Sequence, residues 1–108
     1  MIKLFKLLLI TLPFFCATTS FSDSVKLAVT TSFNNSGLSD ILLPQIKSDT
    51  GLNIKLLVVG TGQAMRLGAA GDVDAILVHS PIAEENFIAS GYGSHRREIM
   101  YNDYVIIG

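Results

Sequence analysis

The chain has 108 residues, 49% of them hydrophobic, a formal net charge of −1 and a single cysteine. That length suffices for one small core, and the near-neutral charge argues against a nucleic-acid partner. One cysteine alone makes no internal disulfide and no cysteine-ligated metal cluster.

Lys3 and Lys6 flank the start of a run, Leu7 to Phe15, that is apolar except for Thr11, the pattern of a secretory signal. The run breaks at Pro13 and passes into Ala17-Thr18-Thr19-Ser20, short of the ~20 apolar residues that a membrane span needs. Ser20 and Ser22 stand three and one positions before a cut after Ser22, so residues 1–22 read as a signal peptide and 23–108 as the mature chain. Pro13-Phe14-Phe15 match a lipoprotein motif poorly, so lipid anchoring at Cys16 is not expected. A mature chain without cysteine suits a periplasmic protein held by its core. It keeps Lys26, Lys47, Lys55, Arg66, Arg96 and Arg97 against nine acids, a net charge of −3 that again disfavours nucleic acid.

Val25 to Thr31 is β-rich, and Asn34-Asn35-Ser36-Gly37 supplies turn and N-cap chemistry for a helix. Leu38, Ile41, Leu42, Gln45 and Ile46 have helical spacing; Pro44 is expected to bend or restart that helix, and Gly51 to close it. Ile54 to Val59 is a continuous apolar run, the mark of a strand covered on both faces, followed by the loop Gly60-Thr61-Gly62. Gln63 to Leu67 predicts a short helix ending at Gly68-Ala69-Ala70-Gly71, and Ala75 to Val78 a third strand. Pro81 opens a further helix with Glu84 and Glu85 as a solvated first turn, ending at Gly91-Tyr92-Gly93. His95 to Asp103 reads as irregular, and Tyr104 to Gly108 as a strand-like run that looks interrupted, as in a truncated longer protein. The βαβαβα order predicts an α/β fold with an open, mostly parallel sheet.

In such sheets ligands bind outside the carboxyl ends of the strands. The residues there are Thr30-Thr31-Ser32, Gly60-Thr61-Gly62 and His79-Ser80-Pro81, each leading into a helix whose first N–H groups lack internal acceptors. Hydroxyls and backbone N–H groups hold a small dianion without a mobile proton source, although each loop alone reads equally as helix capping. The Gly60 loop fails as a dinucleotide fingerprint because Met65 occupies the third glycine position. His79 has no Cys, Asp or second His at metal spacing and reads as a packed, hydrogen-bonded histidine; no protein-coordinated metal is expected. Ser80 beside it is no catalytic dyad, since adjacent side chains on a strand point to opposite faces. Arg96-Arg97 is the concentrated positive charge of the mature chain, either as a bidentate anion contact or as a solvated pair bridged to Glu98.

Taken together, Thr30-Thr31-Ser32, Ser36-Gly37-Leu38, Leu42-Leu43-Pro44, Val59-Gly60-Thr61-Gly62-Gln63-Ala64, Val78-His79-Ser80-Pro81, Gly91-Tyr92-Gly93 and Arg96-Arg97-Glu98 resemble the tungstate-binding periplasmic component of bacterial ABC transporters. The strings Met100-Tyr101-Asn102-Asp103 and Ile106-Ile107-Gly108 extend the resemblance over the whole mature chain. It implies a type II-like periplasmic binding protein lobe with helices on both sheet faces, truncated before a second lobe. It also implies a non-enzymatic receptor, monomeric when full length, that needs no cofactor. The bound ligand would be a tetrahedral oxyanion, tungstate or molybdate, delivered to an inner-membrane permease. Thr30, Thr31, Ser32, Thr61, Ser80 and one of Arg96 or Arg97 become its candidate ligands. The family's first loop usually reads Thr-Thr-Thr-Ser; Val29 replaces the first Thr, with no loss if that position faces the core. The alternatives are a phosphate- or sulfate-type receptor, an enzyme using the hydroxyls as an oxyanion hole, and a fragment without independent activity.

Overall fold

The computed structural model describes residues 23–101 and 103–108; the signal peptide read over 1–22, with Cys16, lies outside the described residues. Element order is β1 (Ser24–Thr30), α1 (Thr31–Asn35), α2 (Leu38–Thr50), β2 (Asn53–Val59), α3 (Thr61–Ala69), β3 (Ala75–Leu77) and α4 (Pro81–Ala89). The three strands form one parallel sheet in the order β2-β1-β3. Parallel neighbours cannot be joined by a tight turn, so each crossover carries helix. β1 pairs with β2 from Ser24↔Asn53 to Thr30↔Val59, and with β3 from Leu27↔Ala75 to Val29↔Leu77.

The central position of β1 follows from its composition. Ala28 and Val29 point to opposite faces of the sheet, and both are 0% exposed, so both faces are covered. Ala28, Ala64 and Val73 form the innermost cluster, and Leu57, Val59, Leu67, Ile76 and Val78 pack around it. Burial of Val29 answers the question its substitution raised: the side chain belongs to the core. Before β3 begins, Asp74 completes the pairing, donating its N–H to the Lys26 carbonyl at 2.9 Å and accepting the Lys26 N–H on Oδ2 at 2.8 Å. At Gly68 a Cβ would stand 3.0 Å from Phe87 Cζ and 3.2 Å from Ile76 Cγ2, so this glycine allows α3 to approach both α4 and β3.

Three expectations need correction. Thr31 to Asn35 forms a five-residue helix instead of a strand end and turn, with the Ser36 N–H donating to the carbonyls of Ser32 and Phe33. Ser36 and Gly37 therefore close α1 as well as opening α2: Ser36 Oγ donates to the Phe33 carbonyl at 2.6 Å and accepts the Leu38 N–H at 3.2 Å, while Gly37 takes φ +76°. Second, α2 does not restart at Pro44 but continues through it to its cap at Gly51, φ +75°. Half-buried Leu42, Leu43 and Ile46 anchor it on either side of the proline. Third, Tyr104 to Gly108 joins no strand, and Ile106 is 102% exposed. Strand propensity describes fit to a pleated, half-covered surface, and the described sheet offers this run no such place.

Candidate functional site

Sheet register fixes where the junction residues lie. Thr30 stands opposite Val59, and one step earlier Val29 stands opposite Leu77, so Thr31, Gly60 and His79 leave the sheet at one level. Thr31, Thr61 and Ser80 thus share the carboxyl edge of a single sheet. Thr61 is the first residue of α3, and Ser80 immediately precedes α4.

Beside this edge is a groove of about 1260 Å³, whose polar lining includes Thr30, Ser32, Ser36, His79, Arg96 and Arg97 together with the carboxylates Asp74, Glu84 and Glu98. It brings together four of the seven candidates: Thr30, Ser32, Arg96 and Arg97. Thr31, Thr61 and Ser80 lie at the same sheet edge but outside the groove lining. Thr30 is only 5% exposed, and its Oγ is 3.1 Å from Ser32 Oγ, either hydroxyl being able to donate. The two hydroxyls thus lie together at the end of β1, a strand paired on both sides.

The start of α4 departs from expectation. Glu84 is not a solvated acid: its side chain is 17% exposed, Oε1 accepts the Ser80 N–H at 3.0 Å, and Oε2 accepts Arg96 Nε at 2.6 Å. The Ser80 amide is thereby occupied, and Pro81 has no N–H, which reduces what this helix start offers an anion. The spacing of Glu84 four residues after Ser80 carried that signal in the sequence, as a carboxylate able to reach back over the first turn.

Arg96 is held by two carboxylates, since Glu98 Oε1 accepts from its two terminal nitrogens at 3.3 Å. Its guanidinium is shifted above the ordinary arginine value, first by the Glu84 hydrogen bond and then by Glu98, against opposing desolvation. Arg97 is exposed, lines the same groove and, among the described residues, makes no ion pair. The two adjacent arginines therefore differ: Arg96 is paired with Glu84 and Glu98, and Arg97 makes no ion pair among the described residues, although both line the groove.

His79 corrects another reading, because it is exposed at the groove instead of packed and hydrogen-bonded. No hydrogen bond among the described residues joins it to Thr31 or Ser32, and Ser32 pairs with Thr30.

A family model described as the PBP superfamily domain matches residues 17–108. The chain is 49% identical over 90 residues to the tungstate-binding protein TupA of Peptoclostridium acidaminophilum, an alignment covering 83% of this chain and 32% of that protein. Among solved structures it superposes on the tungstate binding protein TupA from Desulfovibrio alaskensis G20 with a TM-score of 0.73 and 46% identity, over 75% of this chain and 32% of that one. The tungstate ABC transporter structure from Geobacter sulfurreducens gives a TM-score of 0.70 and 44% identity, over 74% and 34%. The chain thus spans about a third of the length of these relatives.

Proposed function

The chain belongs to the PBP superfamily domain family, and from that premise we propose that it is part of the periplasmic solute-binding component of an ABC transporter, with tungstate, or the similar molybdate, as its ligand. The single observation that carries this reading is the groove at the carboxyl edge of the sheet, where the Thr30 and Ser32 hydroxyls and the unpaired Arg97 line one space. Hydrogen bonds to a charged guest contribute ~1.5–3 kcal/mol each, so several are needed to offset its desolvation. Thr31, Thr61 and Ser80 are further hydroxyls available at the same edge if the groove closes over a ligand, a motion to be expected of a binding protein.

The role is non-enzymatic: it requires no cofactor and no bound metal cation, and its partner is an inner-membrane permease that takes the anion from the closed complex. Phosphate at neutral pH donates a proton and favours a free carboxylate acceptor; both oxygens of Glu84 already accept hydrogen bonds from the protein, while Asp74 and Glu98 also line the groove, so titration with both anions decides between them.

Calorimetric titration with tungstate, molybdate, sulfate and phosphate tests the proposal. Tungstate and molybdate are expected to bind more tightly than the other two, and Arg97→Gln to weaken tungstate by roughly tenfold or more through loss of a charge-assisted contact. Tight phosphate binding with no heat from tungstate would instead make the chain a phosphate-type receptor.

A further inference from the structure

The segment that carries Arg97 has little else to hold it. Among the described residues, no backbone hydrogen bond ties Ser94 to Glu98 to the rest of the fold. Ser94 Oγ contacts His95 Nδ1 and Glu98 contacts Arg96, both within the segment itself. Among the described residues, the one long-range hydrogen bond from the segment is Arg96 Nε donating to Glu84 Oε2 at 2.6 Å, across twelve residues of chain. Glu84 is itself immobilised, because its other oxygen accepts the Ser80 N–H at the junction between β3 and α4. A continuous path of hydrogen bonds therefore runs from the sheet edge through Glu84 to the residue next to Arg97.

We propose that Glu84 is a positioning residue for anion binding: it fixes Arg96 against α4 so that the adjacent Arg97 is presented to the groove with its charge uncompensated. The inference rests on the oxyanion-receptor reading above and deepens it. Of the two adjacent arginines, Arg96 is the one hydrogen-bonded to Glu84 among the described residues. The pairing with Arg96 decides which of them remains for the ligand. Glu84 touches no ligand in this scheme. It acts by limiting the positions available to Arg97, so that less ordering remains to be done on binding. A loosely tethered arginine would have to lose that freedom at the moment of capture.

The test is a double-mutant cycle on tungstate affinity, with Glu84→Gln and Arg97→Gln made singly and together in the full chain. Glu84→Gln keeps an oxygen for the Ser80 amide but loses the charge that holds Arg96. It is expected to weaken tungstate by about tenfold. In the Arg97→Gln background the same change is expected to cost nothing further. Equal losses in both backgrounds would reduce Glu84 to a structural residue and overturn the proposal, as would unchanged affinity in Glu84→Gln.

Amide hydrogen exchange without any ligand gives an independent readout. Glu84→Gln is expected to speed exchange at Ser94 to Glu98 while leaving β1 and β2 protected. Should the wild type show no affinity for tungstate, the receptor reading fails; the exchange result then still decides whether Glu84 tethers the segment. Unchanged exchange would remove the tether itself.

Discussion

The end of β1 and the segment from Ser94 onward contribute to one groove, yet they are held by different physics. Thr30 continues a strand paired with β2 along its whole length and with β3 up to Val29, and the residues before it, Ala28 and Val29, are sealed in the core. Its hydroxyl is placed by backbone geometry that cannot change without opening the sheet. Arg97 sits on a stretch with no regular structure, secured through a neighbour's side chain. The Thr30 hydroxyl is thus built on the sheet, whereas the Arg97 charge is carried by an irregular stretch tied to the fold through a side chain.

The comparison can be broken most severely at Val29. Val29→Asp places an unpaired carboxylate at a fully enclosed position, and urea unfolding is expected to show a loss of about 4 kcal/mol or more, enough to unfold a small domain. An intermediate effect is expected at the packing that joins the two regions. Gly68→Val would drive methyl groups into Phe87 and Ile76, and the same measurement should show a loss of about 2 kcal/mol. The smallest effect tests the other side of the contrast: Ile106→Asp, in the exposed C-terminal run, is expected to alter stability by no more than about 0.5 kcal/mol. A large destabilisation there would mean that the run packs against the fold, and the distinction between a fixed edge and a lightly held segment would fall.

Much of the fold was legible in the residues. The runs Val25 to Thr31, Ile54 to Val59 and Ala75 to Val78 mark the strands Ser24–Thr30, Asn53–Val59 and Ala75–Leu77, Gly51 caps a helix, and Pro81 starts one. These features depend on local chemistry and on the period of hydrophobic residues, which a single sequence displays. The helix Thr31–Asn35 was missed although its bonds are local, but other failures depended on neighbours far along the chain. Nothing local distinguishes Tyr104–Gly108 from a buried strand, because pairing is decided by what lies alongside. Likewise nothing in the pair Arg96-Arg97 says which arginine a carboxylate twelve residues earlier will take.

By itself the sequence determined the alternation of strands and helices, the family to which the chain belongs, and the set of hydroxyls and cations from which a site could be made. Folding divides that set: Val29 goes to the core, Glu84 pairs with Arg96 and the Ser80 amide, and Thr30, Ser32, Arg96 and Arg97 line the groove. The reason is physical. Residue type sets which bonds a side chain can make, whereas enclosure and competition among neighbours settle which of those bonds remain open to a ligand.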